Sequence, residues 1–319
     1  MERNFCMKKK LKNLILFSSL TVVSIHFLNK FLTFISTIKQ LLKAESGYFY
    51  EWRFGNIYYT KQGTGTPLLL IHDLNTGSSS YEWNEVISSL AKNHTVYAID
   101  LLGCGRSDKP NLTYTNFLYV QLLSDFIKNI ISHKTDVIVT GDSAPLVVCA
   151  CNNDKTLFNK IIMLNPMSLY RLNEIPSKRT KLLKLLIETP ILGTLFYNLY
   201  ALKKNVEDKF VETYFFNPFK VTDAHINHYY EASNLGNAKY LFASLKGRYT
   251  NINIIHALKN INNSLFIIGG AEEKDIKTTI DNYTHYNPSI ESYVLSKTKH
   301  LPQLETPKDL LEQIEIFLG

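Results

Sequence analysis

The sequence predicts an α/β fold: a mostly parallel, eight-stranded sheet with helices on both faces and a helical cap inserted after the sixth strand. Three observations carry this expectation. From Gly47 onward, short apolar runs alternate with amphipathic stretches of helical length, the pattern of a parallel sheet covered by crossover helices. Runs such as Pro67-Leu-Leu-Leu-Ile71 and Asp136-Val-Ile-Val-Thr140 are apolar at consecutive positions, which suits strands buried on both faces. Residues 172–258 form a stretch far longer than one crossover needs, with its own helical periodicity and many aromatics.

The elements follow in order. Residues 1–46 form a separate segment, in which Lys8, Lys9, Lys10 and Lys12 precede a largely apolar stretch that runs to Leu28 and resumes at Phe31. Basic-then-apolar order marks a signal or an anchor, and no small-residue cleavage site precedes Lys39, so a retained membrane anchor is expected. A helix over residues 14–38 reaches the roughly 20 residues needed to cross hydrocarbon; an interfacial helix and a helix packed on the domain are the alternatives. Lys30, Lys39 and Lys43 follow the apolar stretch as other lysines precede it, so the side of the membrane stays open. Residues 48–55 and 56–63 read as an opening antiparallel pair. Residues 67–72, 95–101, 136–140, 160–164, 265–269 and 292–295 read as the remaining strands. The expected organisation is a core in two parts, 47–171 and 259–319, with the cap of residues 172–258 over the strand ends, where open α/β sheets bind ligands.

Composition narrows the function. At 319 residues and 45% hydrophobic content there is material for a large core. The net charge of +7 comes from the N-terminal lysines and from scattered ones, without the basic stripe and interleaved aromatics of nucleic-acid binding. Nucleic acid is therefore not an expected partner, and an anionic membrane surface suits the excess better. Cys6, Cys104, Cys149 and Cys151 read as free thiols, since the last two share one predicted helix. No CxxC or HExxH spacing occurs, so neither a metal nor a cofactor is expected.

The chemistry is sought in two places. Gly141-Asp142-Ser143-Ala144-Pro145 follows a predicted strand and opens a helix, the context of a nucleophile elbow, with Ser143 in the middle position of GxSxG and Pro145 where the last glycine is expected. His300 follows the last predicted strand and precedes a C-terminal amphipathic helix, so its ring can lie above the strand ends as the general base.

With these residues in view, the chain over 47–319 resembles the α/β-hydrolase superfamily, in particular its capped epoxide-hydrolase-like and haloperoxidase-like members. Pro67-Leu-Leu-Leu-Ile-His72-Asp73 resembles the strand and HG loop. Asp100-Leu-Leu-Gly103-Cys-Gly105-Arg106-Ser107 resembles the DxxGxGxS signature, and His300 through Pro307 resembles GHxxxxExP. The resemblance implies an α/β-hydrolase fold, an oxyanion hole from the amides of Leu74 and Ala144, and a supporting loop from Asp100, Gly103, Gly105, Arg106 and Ser107. It also implies an acid after the seventh strand. Glu273, three residues past Gly270, has the family's spacing, and Glu272 and Asp275 are the alternatives. Ser143 as nucleophile implies an acyl-enzyme hydrolase acting on an ester-like small molecule, apolar or lipid-like. Asp142, the nucleophile an epoxide hydrolase would use, would require the β-branched Thr140 to make the glycine's turn. Asp73 stands where the family has glycine. A carboxylate there opposes the charge of a tetrahedral intermediate, so its side chain is expected to point away. Asp73 and Pro145 together leave a second reading, a noncatalytic module of the same fold that binds a lipid or a partner.

Overall fold

The computed structural model describes residues 2–43 and 46–319. Met1, Ala44 and Glu45 lie outside the described residues, as do the side chains of residues 2–11, 14 and 15, among them Cys6, Lys8, Lys9 and Lys10. The chain forms an α/β-hydrolase fold. Its sheet has β1 (Tyr48–Trp52), β2 (Gly55–Gln62), β3 (Thr66–Ile71), β4 (His94–Ile99), β5 (Thr135–Thr140), β6 (Phe158–Leu164), β7 (Ser264–Gly270) and β8 (Glu291–Leu295). They lie in the order β1-β2-β4-β3-β5-β6-β7-β8. β2 is antiparallel to both neighbours, and every pair from β4 to β8 is parallel.

The central strands are apolar at consecutive positions because both faces of the sheet are covered. Leu69 and Ile71 of β3, with Val137 and Val139 of β5, enter one core; Leu68, Leu70 and Ile138 enter the other. All seven are fully buried, so the period of two divides the strands between two apolar layers rather than between core and water. Helices Asn116–Phe126 and Ala144–Asn153 cover the first face, and Pro307–Leu318 covers the second.

Between β6 and β7 the chain leaves the sheet and builds helices Lys178–Glu188, Ile191–Tyr200, Lys203–Lys209, Asp223–Asn234 and Lys239–Lys246 above the strand ends. The N-terminal helix, Glu2–Thr37, packs on two of them, Ile191–Tyr200 and Asp223–Asn234. Its stretch Leu16–Thr37 is 22 residues of mean hydropathy 1.3, long and apolar enough to cross a membrane, a property that N-terminal signal sequences share.

Candidate active site

The site lies at the carboxyl ends of β3, β5, β7 and β8. β5 ends at Thr140, and the next residue, Gly141, has φ 56°, the left-handed conformation that turns the chain from strand into helix. A short 3₁₀ turn over Gly141–Ser143 leads into Ala144–Asn153. In a strand-to-helix elbow the exposed, strained turn residue carries the nucleophile. Here the residue in the left-handed turn is Gly141, and it is buried.

Ser143, the nucleophile expected from GxSxG spacing, falls two residues after that turn. Its side chain is fully buried, and Oγ donates to the carbonyl oxygen of His72 at 2.7 Å, tying the elbow to the end of β3. The physical reason is the length of β5. The strand runs through Thr140, so the serine is already turned inward as a small residue against the neighbouring loop.

Asp73 corrects an expectation. Its carboxylate does not point away but occupies the space in front of Gly141, where a Cβ on residue 141 would collide with it. Oδ1 accepts the amide N–H of Leu74 at 2.8 Å and that of Asp142 at 2.7 Å. The two amides converge on that one oxygen, while the N–H of Ala144, expected to join Leu74 in an oxyanion hole, closes the 3₁₀ turn on the carbonyl of Gly141. Oδ2 accepts from Asn75 Nδ2 at 2.8 Å and lies 3.6 Å from His300 Nε2.

On its other side, His300 Nδ1 is 3.3 Å from Glu273 Oε2. Glu272 and Asp275 are exposed, and neither is an ion-pair partner of His300 among the described residues. The imidazole thus lies between two carboxylates, stacked on the ring of Tyr214 at 5.5 Å between centroids. Its main-chain N–H donates to the Tyr214 carbonyl, and Asn165 Nδ2 donates to the carbonyls of Lys299 and His300. Asn165, itself at φ 44°, also accepts the N–H of Gly270, joining the ends of β6 and β7 to the histidine loop.

The charge balance follows from these contacts. Burial disfavours an imidazolium, but Asp73 and Glu273 outweigh it and hold His300 well above its ordinary value. Burial likewise works against the Asp73 carboxylate, yet His300, the Asp142 amide and Asn75 bring it below the usual range. Both shifts run in the direction that favours an ion pair between Asp73 and His300. Beneath it, Glu82 accepts from Asp73 N–H, Tyr229 Oη and Gln303 Nε2, and burial together with the Asp73 charge pushes it up to about 7. Burial and the same charge push Asp142 to about 7.

The loop of Asp100, Gly103, Gly105, Arg106 and Ser107 supports the site from below. Asp100 accepts the amides of Ser80 and Arg106, and a Cβ on Gly105, at φ 46°, would collide with its carboxylate.

Residues 68–313 match the family model described as the alpha/beta hydrolase family. The chain belongs to the alpha/beta hydrolase family. A 2-hydroxy-6-oxo-6-(2'-aminophenyl)hexa-2,4-dienoic acid hydrolase of Metapseudomonas resinovorans is 41% identical over 71 residues, 22% of this chain and 24% of that protein. A soluble epoxide hydrolase of Corynebacterium sp. is 39% identical over 77 residues, 24% of this chain and 25% of that one. The matched segments thus span about a quarter of these relatives. A proline iminopeptidase of Heyndrickxia coagulans is 25% identical over 275 residues, covering 82% of this chain and 93% of the other. In three dimensions, a meta-cleavage product hydrolase of Pseudomonas fluorescens has a TM-score of 0.70 at 18% identity, covering 85% of this chain and 97% of its own. An epoxide hydrolase has a TM-score of 0.67 at 19% identity, covering 85% and 98%. At these identities the two structures show the fold alone.

In this alpha/beta hydrolase a cleft of about 430 Å³ opens between core and cap, lined by Leu74, Asp142, Met167, Arg171, Leu183 and Phe242 among others. Two residues that spacing did not single out hold it together: Asn165, and Glu305, whose Oε1 accepts the amides of Phe216 and Asn217 in the cap while Oε2 accepts that of Lys299. A signal for Glu305 existed, since it is the acid of the ExP motif; Asn165 had none.

Proposed function

We propose that the protein is a hydrolase whose nucleophile is the carboxylate of Asp73, acting on an epoxide or a comparably strained electrophile. The observation that carries this reading is the placement of the carboxylate: one oxygen in the two-amide cradle, the other beside His300, in the space an elbow side chain would fill. Asp73 Oδ2 attacks an epoxide carbon, the carbon–oxygen bond breaks, and the alkoxide takes the proton of the His300 imidazolium. Asp73 is now a neutral ester. Having given its proton to the alkoxide, His300 is neutral and free to accept one, with Glu273 orienting it and favouring the imidazolium. It removes a proton from water, whose oxygen attacks the ester carbon, and charge develops on Oδ1 between the Leu74 and Asp142 amides. The ester bond breaks, the diol leaves with the proton from His300, and the acid formed at Asp73 returns its proton to the imidazole.

A protonated histidine at rest suits an epoxide, whose leaving oxygen needs a proton. Ester cleavage through an acyl-enzyme on Ser143 would require its hydroxyl to leave the His72 carbonyl and cross the turn. The noncatalytic reading draws on one observation, the glycine at the elbow itself.

Single-turnover hydrolysis of styrene oxide in heavy-oxygen water tests the proposal, because the water oxygen enters the nucleophile. The expected result is label in the peptide containing Asp73. Fluorophosphonate adduct at Ser143 with ester turnover would replace it by the acyl-enzyme route. Absence of turnover across a panel of epoxides and esters by folded protein would favour the binding module.

A further inference from the structure

The outer face of the cap departs from what a water-soluble surface tolerates. Helices Lys178–Glu188 and Ile191–Tyr200 meet at 100°. Pro190 breaks the chain between them, and Gly193 lets the second helix close onto the first, since a Cβ there would collide with the carbonyl oxygens of Leu186 and Ile187. The first helix buries only Ile187, and the second buries Gly193, Tyr197 and Asn198. Leu182, Leu185, Leu186, Leu192 and Phe196 are each more than half exposed. A continuous apolar patch of this kind marks a surface that meets an apolar partner.

The N-terminal helix identifies that partner. It is fastened to the same helix pair: Asn29 Nδ2 donates to the Ile191 carbonyl, Asn198 Nδ2 donates to Asn29 Oδ1, and Asn29 and Ser36 are buried against the cap. Glu231 accepts the amides of Leu41 and Leu42 and anchors the end of the segment. Phe27, Phe31 and Phe34 face outward, each more than half exposed. The apolar residues ahead of Asn29, 16–28, rise only about 20 Å at 1.5 Å per residue, whereas hydrocarbon is about 30 Å thick. Whatever depth the apolar helix reaches, the Ile191–Tyr200 helix is carried to the lipid with it. Exposed Lys178, Arg179 and Lys181 lie at the start of the pair, where anionic headgroups would meet them. Leu183 borders both this apolar groove and the cleft above the site.

We infer that the outer face of the Lys178–Tyr200 helix pair is a second membrane-contact element, seated in the headgroup and upper acyl region of an anionic bilayer beside the N-terminal helix. A second copy of the chain is the competing occupant.

The test uses the full-length protein in vesicles of phosphatidylcholine and phosphatidylglycerol in equal parts, with brominated acyl chains as quencher. Phe196→Trp reports the patch. Ile316→Trp, on the exposed side of the C-terminal helix near the amino ends of the strands, is the control, and Leu186→Trp repeats the measurement if Phe196→Trp does not fold. The added emission at 196 is expected to fall by half or more, that at 316 to stay unchanged, and quenching at 196 to weaken in phosphatidylcholine alone. An unquenched tryptophan at 196 in vesicle-bound protein overturns the inference. Loss of water contact there without quenching, together with cross-links between copies, assigns the face to a dimer instead. Equal quenching in both kinds of vesicle overturns the role of anionic lipid.

Discussion

Placing a serine at the elbow turn tests whether Asp73 fills that space. Gly141→Ser puts a Cβ at φ 56°, which costs about 1–2 kcal/mol for a non-glycine residue in the left-handed region. Its side chain also meets the Asp73 carboxylate, and overpacking of a buried site costs about 1–3 kcal/mol more. Asp73→Gly alone empties the space but removes the acceptor for the Leu74 and Asp142 amides, at about 1–3 kcal/mol for each one left unsatisfied. The double variant keeps the backbone strain and loses the collision, so it should be more stable than the sum of the single changes by about 1–3 kcal/mol. Urea unfolding of the four proteins, followed by circular dichroism, measures this coupling. Fluorophosphonate labelling gives a second readout: position 141 should react in the double variant, where the amide cradle is open, and not in Gly141→Ser alone. Additivity within about 0.5 kcal/mol, with equal labelling of both, would refute the assignment of that space to Asp73.

Other outcomes follow from the same contacts. Ser143→Ala removes a buried donor to the His72 carbonyl and should lower stability by about 1 kcal/mol with most hydrolytic activity kept; loss of activity in a folded variant would return the serine to the mechanism. Glu273→Gln should lower kcat roughly a thousandfold or more, as for loss of an acid that orients a catalytic imidazole, whereas Glu272→Gln and Asp275→Asn should stay near the parent; steady-state kinetics on the substrate identified above would decide. Glu82, raised by burial and the Asp73 charge to about 7, keeps its proton in the folded state where the unfolded chain has released it. Unfolding free energy should therefore fall as pH rises from about 4.5 to 7, and Glu82→Gln should make that fall shallower in urea titrations across the range. His300, whose folded value is raised, contributes stability that is fully present below its ordinary 6.5 and lost as pH rises through the higher value, so the decline should continue above 7 even in Glu82→Gln.

The sheet was legible because its chemistry is local. Consecutive apolar residues at 68–71 and 137–139 have nowhere to go but a strand covered on both faces, and the structure divides them between two cores. His300 was legible from its place after the last strand, and Glu273 from its distance past Gly270. The elbow register was not. Gly141-Asp142-Ser143 satisfies the spacing of a serine motif, but where β5 ends and the left-handed turn begins depends on pairing with β3 and β6. Asp73 was legible as an anomaly and misread as to direction. A carboxylate beside two amide donors is held there by them and by His300, while the neighbouring carboxyls of Asp142 and Glu82 are pushed up by burial and by its charge.

The sequence by itself therefore determined the layers of the fold and the loops that present a histidine and an acid, because hydrophobic periodicity and chain order are one-dimensional. Only the tertiary structure decided which group faces that histidine. The ends of β3 and β5 are far apart in the chain and adjacent in the sheet, and their adjacency lets a glycine at one give its space to a carboxylate from the other, held by two amides and the charge of His300.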